Sequence, residues 1–209
     1  MNISYLLDMT LMAAVLLFSV IVHEVAHGYV AWLNGDPTAR IAGRITLNPV
    51  PHIDPIGTIL LPVLLLVTHA GIIFGWARPV PVNPSNFRHY RWGEVSCSFA
   101  GPASNLLLAA LFAFLLRLHL GGPGLVLLAY YGCTINIFLA LFNLLPIPPL
   151  DGSHLVAAFL PYRLLQLYRY LEPVGFVLII LLFYTGLMGL IIMPLFRLIA
   201  TILRVPVVF

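Results

Sequence analysis

Residues 23–27 read His23-Glu24-Val25-Ala26-His27, inside an apolar run of Leu, Val, Ile, Ala, Phe and Met that spans residues 11–30. A charged side chain at the centre of a bilayer costs about 2.5–3.5 kcal/mol on insertion scales, so ionisable groups there call for a compensating partner. Positions i and i+4 share one face of a helix. His23 and His27 can therefore hold one metal ion between them. Glu24 stands beside that ion, where it can take a proton from an acidified water.

Hydrolytic zinc takes three protein ligands and leaves one position open. A further ligand must come from elsewhere, and the chain has only seven acidic residues. Asp8, Asp36, Glu94 and Glu172 fall at segment edges and read as solvated ends, and Asp54 lies in a loop before Pro55. Asp151 differs. It follows the broken, proline-rich run 143–150 and precedes Gly152. Pro146, Pro148 and Pro149 remove backbone donors and stop a helix. Irregular backbone at membrane depth survives only where protein or a water-filled cavity covers it. Gly152 allows another backbone to come close. Such a segment can bring one carboxylate to a buried metal.

The elements that must position these groups are apolar. Of 209 residues, 61% are hydrophobic and 8% charged, with a mean hydropathy of +1.04. A soluble domain is about 25% charged, so the sequence describes an all-α integral membrane protein: a polytopic helix bundle forming one domain, 1–209, with its core over 3–160 and C-terminal helices over 162–204. Long apolar segments cover 3–33, 56–74, 93–120 and 125–145. Residues 162–172 read as an interfacial helix. The stretch 174–203 is too long for one plain span and is broken by Gly186, Gly189 and Pro194. Residues 39–47 and 75–83 read as short strand-like loops. Cys97 and Cys133 form no disulfide framework and read as small core residues. The first 22 residues lack the basic start of a cleavable leader. The ten Arg residues, with no Lys, are dispersed among short loops. They read as topology signals facing lipid headgroups, not as a nucleic-acid surface.

The His-Glu-x-x-His motif, followed by Asn143-x-x-Pro146-x-x-x-x-Asp151-Gly152, resembles the site-2 protease family of intramembrane zinc metalloproteases. Gly101-Pro102-Ala103-Ser104-Asn105 is similar to that family's Gly-Pro turn. The resemblance covers residues 19–155 and implies one Zn2+ ion held by His23, His27 and Asp151, with Glu24 as general base. It also implies that Asn143 helps to hold the substrate or the oxyanion. Ser153-His154 departs from the family pattern after Asp151-Gly152, and no PDZ-like or other regulatory domain is evident.

Topology follows from parity. His27 and Asp151 each lie near the C-terminal end of an apolar segment, so both segments must exit on one side for the ligands to meet. One intervening segment therefore does not cross. Residues 56–74, interrupted by Pro62, His69 and Gly71, are expected to be re-entrant. Arg40, Arg44, Arg78, Arg88 and Arg91 then share one side, which the positive-inside rule makes cytoplasmic. The expected location is a prokaryotic plasma membrane, with the active site nearer the cytoplasm.

The expected activity is cleavage of peptide bonds within or near transmembrane segments of membrane proteins. Gly43, Ile45 and the loop 75–82 are expected to pair with an unwound substrate by strand addition, and Asn105 is a further candidate contact. Two other readings stay open. One is a non-catalytic metal- or proton-handling protein, or a helix-binding pseudoprotease, in which Glu24→Gln would leave function intact. The other, weaker, is a prenyl-protein type of membrane peptidase, which would want a Glu ligand downstream, a place that Glu94 and Glu172 fit poorly.

Overall fold

The computed structural model describes residues 3–60, 64, 67, 77–118 and 121–206. Its helices are α1 (Ile3–Leu33), α2 (Thr38–Ile41), α3 (Tyr90–Arg117), α4 (Pro123–Asn143), α5 (Asp151–Ala157), α6 (Tyr162–Arg169), α7 (Glu172–Tyr184) and α8 (Leu187–Ile202). No strand occurs among the described residues.

α1 runs unbroken because residues 3–33 contain no proline. It stops where Gly35 takes a left-handed φ of +109° ahead of Pro37, a conformation open to glycine because it has no Cβ. Its end sits beside the start of α3. Ala31, Phe87 and Cys97 pack together there, Asn34 Nδ2 donates to Ser96 Oγ at 2.9 Å, and Arg88 N donates to the Asn34 carbonyl at 2.9 Å. α1 and α3 are therefore antiparallel. α4 begins at Pro123, shortly after α3 ends at Arg117, and packs along α3, so α1 and α4 run the same way. Residues 34–89 begin and end at one end of the bundle, as the ligand parity requires.

Lipid tails are as apolar as leucine, so helix association in a bilayer depends on close packing at small residues. Ala109 and Ala113 on α3, Cys133 and Ile137 on α4, and Ile192, Phe196 and Ala200 on α8 form one buried cluster. Gly132 makes room for the Phe112 ring, which a Cβ there would overlap. Leu107, Leu111, Phe114, Val177 and Ile180 are exposed on the outer surface, as lipid-facing residues are. Leu7–Leu33, Tyr90–Arg117 and Pro123–Asn143 are long and apolar enough to cross a membrane, and the α6–α7 pair, bent by 63°, passes the same test as a broken span. This is an integral membrane protein of helical bundle type.

Three expectations shift. The strand-like reading of 39–47 gives way to α2 and a run of bends, because Gly43 turns with φ +64° and the Arg44 side chain points inward, 6% exposed. Residues 77–83 are extended but belong to no sheet. Gly101-Pro102 is not a turn: it lies inside α3. The stretch 174–203 divides at Gly186, φ +75°, into α7 and α8. The expected re-entrant segment 56–74 lies mostly outside the described residues; its start, Pro55–Leu60, is a π-helical turn.

Candidate metal centre

His23 and His27 project from one face of α1, with Nε2 atoms 3.0 Å apart. Asp151, the first residue of α5, places Oδ2 3.1 Å from His23 Nε2 and 3.3 Å from His27 Nε2. The three side chains are 9%, 12% and 20% exposed. They are the one group of three or more metal-ligating side chains that converges among the described residues.

What turns the rings is as informative as where they stand. His23 Nδ1 meets Asn105 Oδ1 at 2.6 Å, and His27 Nδ1 meets the Cys97 carbonyl at 2.7 Å. Both partners accept, since the Asn105 amide nitrogen is already donating to the Ser19 carbonyl and to Asn136 Oδ1. Each Nδ1 therefore carries the proton, and each Nε2 is left as a lone pair. Asp151 Oδ2 is buried with no hydrogen-bond donor among the described residues. Three acceptors thus face one another without a proton between them, an arrangement that a cation relieves. Two imidazoles and one carboxylate are the donor set of a catalytic zinc site.

Glycine makes the convergence possible at two points. A Cβ on Gly101 would strike His27 Nε2 and lie 2.5 Å from His23 Cε1, so α3 can approach the rings only without a side chain there. A Cβ on Gly152 would strike the Leu144 carbonyl, so α5 seats on the broken end of α4 only with glycine next to Asp151.

Behind His23 the polar contacts continue. Asn136 Nδ2 donates to Ser19 Oγ at 2.8 Å and to the Gly132 carbonyl at 2.7 Å. Ser19, Asn105 and Asn136 are fully buried. The Asn105 side chain is therefore engaged with His23 on one side and with Asn136 and Ser19 on the other. Ser19 and Asn136 escaped sequence reasoning, although a polar side chain in the middle of an apolar span was the available signal. The other expected contacts occupy different settings. Gly43 is exposed with no neighbour near a would-be Cβ, while Ile45 packs toward Gly28, 3.4 Å from the same kind of position. Asn143 donates its amide to the Leu139 carbonyl one turn back, at 2.9 Å, which gives it a task at the end of α4. Glu94 stands 3.8 Å from His154, apart from the ligand cluster, and Glu172 opens α7.

The chain is 42% identical over 189 residues to "Putative zinc metalloprotease YwhC" of Bacillus subtilis, covering 86% of this chain and 82% of that protein. It is 33% identical over 190 residues to "Putative zinc metalloprotease Rip2" of Mycolicibacterium smegmatis, covering 88% and 70%. The sequence model for peptidase family M50 matches residues 122–182. The chain belongs to peptidase family M50. Membership bears out the site-2 protease resemblance and marks the chain as a protein of a zinc metalloprotease family. A shorter match, 45% over 56 residues, links this M50 chain to "Putative zinc metalloprotease MJ0611" of Methanocaldococcus jannaschii, covering 27% and 29%. No solved structure matches it.

Proposed function

We propose that this M50 protein is an intramembrane endopeptidase that holds one zinc ion on His23, His27 and Asp151 and hydrolyses peptide bonds within or near transmembrane segments of other membrane proteins. The observation that carries the reading is the meeting of three lone-pair donors from α1 and α5 at the end of an apolar bundle. Zinc, when bound, supplies Lewis acidity, which brings the pKa of a water toward neutrality and polarises the scissile carbonyl. The remaining chemistry belongs to the chain. Glu24 takes the proton from the attacking water and returns it to the leaving amine. Asn105 and the Cys97 carbonyl keep both imidazoles in the tautomer that presents Nε2. Peptide bonds in a helix are shielded by their own hydrogen bonds, so a substrate span must unwind before attack. Arg40, Arg44, Arg78, Arg88 and Arg91 all lie at the metal end of the bundle in chain order, which favours a cytoplasmic-facing site.

Turnover tests the reading. Purified protein is reconstituted in liposomes with a quenched fluorescent peptide that carries an apolar span of about 20 residues and a helix-breaking centre. Cleavage inside the span by the wild type, abolished in Glu24→Gln with zinc retained, is the expected result. An active Glu24→Gln variant would refute it. Cysteines introduced at positions 40 and 88 should label from the same, cytoplasmic side of intact cells, and opposite accessibility would refute the topology.

A further inference from the structure

The structure assigns a positioning role to a strap of extended chain, residues 77–83: we infer that the main-chain N–H of Val80, pinned by the buried guanidinium of Arg44, holds the Glu24 carboxylate in place. The inference rests on the reading of Glu24 as general base.

A general base must stay within hydrogen-bond reach of its proton donor. Glutamate is a long side chain with many rotamers, and fixing it costs entropy. Some group must therefore hold it. Val80 N donates to Glu24 Oε2 at 2.8 Å, which anchors one oxygen and leaves the other for proton transfer. The register is set by sequence: Pro79 and Pro81 have no N–H, so Val80 is the single main-chain donor of that tripeptide. The Val80 side chain, 8% exposed, fixes the same position by packing on α1. A Cβ on Gly28, next to His27, would lie 2.9 Å from Val80 Cγ1.

The strap has no sheet to support it, so its rigidity comes from three side chains and one loop. Arg44 donates from Nη2 to the Arg78 and Pro79 carbonyls at 2.6 and 3.1 Å, and from Nη1 to the Pro51 carbonyl. One planar fork thereby joins two segments that a lysine could not bridge in the same way. Arg78 N donates to the His52 carbonyl at 2.9 Å, and the fully buried His52 ring meets the Thr46 carbonyl at 2.9 Å. At the far end, Asp36 Oδ2 accepts from Asn83 N at 2.7 Å and Oδ1 from Asn86 Nδ2 at 2.8 Å. These bonds engage the N–H groups of Arg78, Val80 and Asn83 and the carbonyls of Arg78 and Pro79.

The test compares Val80→Pro, which deletes the donor between residues that are already proline, with Val80→Ala, which keeps it. Both are assayed in liposomes on the quenched span peptide, with zinc content and hydrogen exchange of the strap measured in parallel. Val80→Pro should lower kcat about 10- to 100-fold, leave KM within about twofold and keep full zinc. Val80→Ala should retain a kcat about tenfold above that of Val80→Pro. Arg44→Lys should follow Val80→Pro in direction with a smaller loss. In Glu24→Ala the Val80 amide should exchange faster, which reads the bond without any turnover. Equal loss in the two Val80 variants, loss of zinc in Val80→Pro, or unchanged Val80 exchange in Glu24→Ala would each overturn the inference. The two readings fail separately: an active Glu24→Gln removes the general base, whereas a dead Glu24→Gln beside a fully active Val80→Pro removes only the strap.

Discussion

His23 and Glu24 are adjacent in the chain, yet two unlike structures meet them. Behind His23 lies a network of side chains: Asn105, Asn136 and Ser19, fully buried between α1, α3 and α4. In front of Glu24 lies main chain, an extended strap fastened from outside the bundle by Arg44 and Asp36. A polar group between lipid-embedded helices has no water to replace a lost partner, so removing a member that leaves another unpaired is costly. The strap lies at the helix ends and is held by separate bonds from Arg44, Asp36 and the His52 carbonyl, so the loss of one leaves the others in place. The metal side of α1 is thus built to hold its geometry, and the base side is built from parts that can be loosened one at a time.

Four substitutions would break or sharpen that contrast. Gly101→Ala should have the largest effect. Its Cβ occupies the space of the two imidazole rings, so zinc measured by mass spectrometry should fall from one per chain to none; full zinc in this variant would show that α3 is not the wall of the site. Asn105→Leu comes next. It strips the Nδ1 partner from His23 and leaves Asn136 Oδ1 and the Ser19 carbonyl without the donor they share. Chelator competition should show about 10- to 100-fold weaker zinc binding, and unchanged affinity would reduce Asn105 to a packing residue.

Asp36→Asn tests the strap end and should spare zinc. Burial pushes the Asp36 carboxyl up, but hydrogen bonds from Asn86, Thr38 and Asn83 outweigh it and hold the carboxyl below its usual range. A folded value below the unfolded one, about 3.9, contributes stability that is present above the unfolded value and is lost as pH falls through the folded one. Thermal unfolding in detergent should therefore show a wild-type advantage of about 1–3 kcal/mol at neutral pH that closes below about pH 4. A gap that widens on acidification would contradict this. Ser19→Ala should do least, below about 1 kcal/mol, because Asn136 Nδ2 keeps its bond to the Gly132 carbonyl. A loss as large as that of Asn105→Leu would mean that the network acts as one unit.

The ligand set was legible in sequence because its logic is local: i and i+4 on a helix, and a carboxylate delivered by a proline-broken end. The bundle was legible for the same reason, from the lengths of apolar runs and their stop signals. What escaped was held by distant partners. Asp36 reads as a solvated helix end until Asn83 and Asn86 arrive to bury it. Arg44 reads as a topology signal facing lipid headgroups, yet it is buried under the strap it fastens. Alternation in 39–47 suggested a strand, but a left-handed Gly43 and an inward Arg44 leave no ladder to form. Pro102 suggested a turn, yet α3 continues through it and uses Gly101 beside it for the approach to the rings.

The central claim is a single zinc ion shared by α1 and α5. X-ray absorption at the zinc edge on purified wild type and Asp151→Ala tests it most directly. The wild type should hold one zinc per chain with two imidazole ligands, a carboxylate oxygen and one further light atom, and Asp151→Ala should lose either the metal or that oxygen. An Asp151→Ala variant with the same zinc content and the same ligand spectrum would contradict the account.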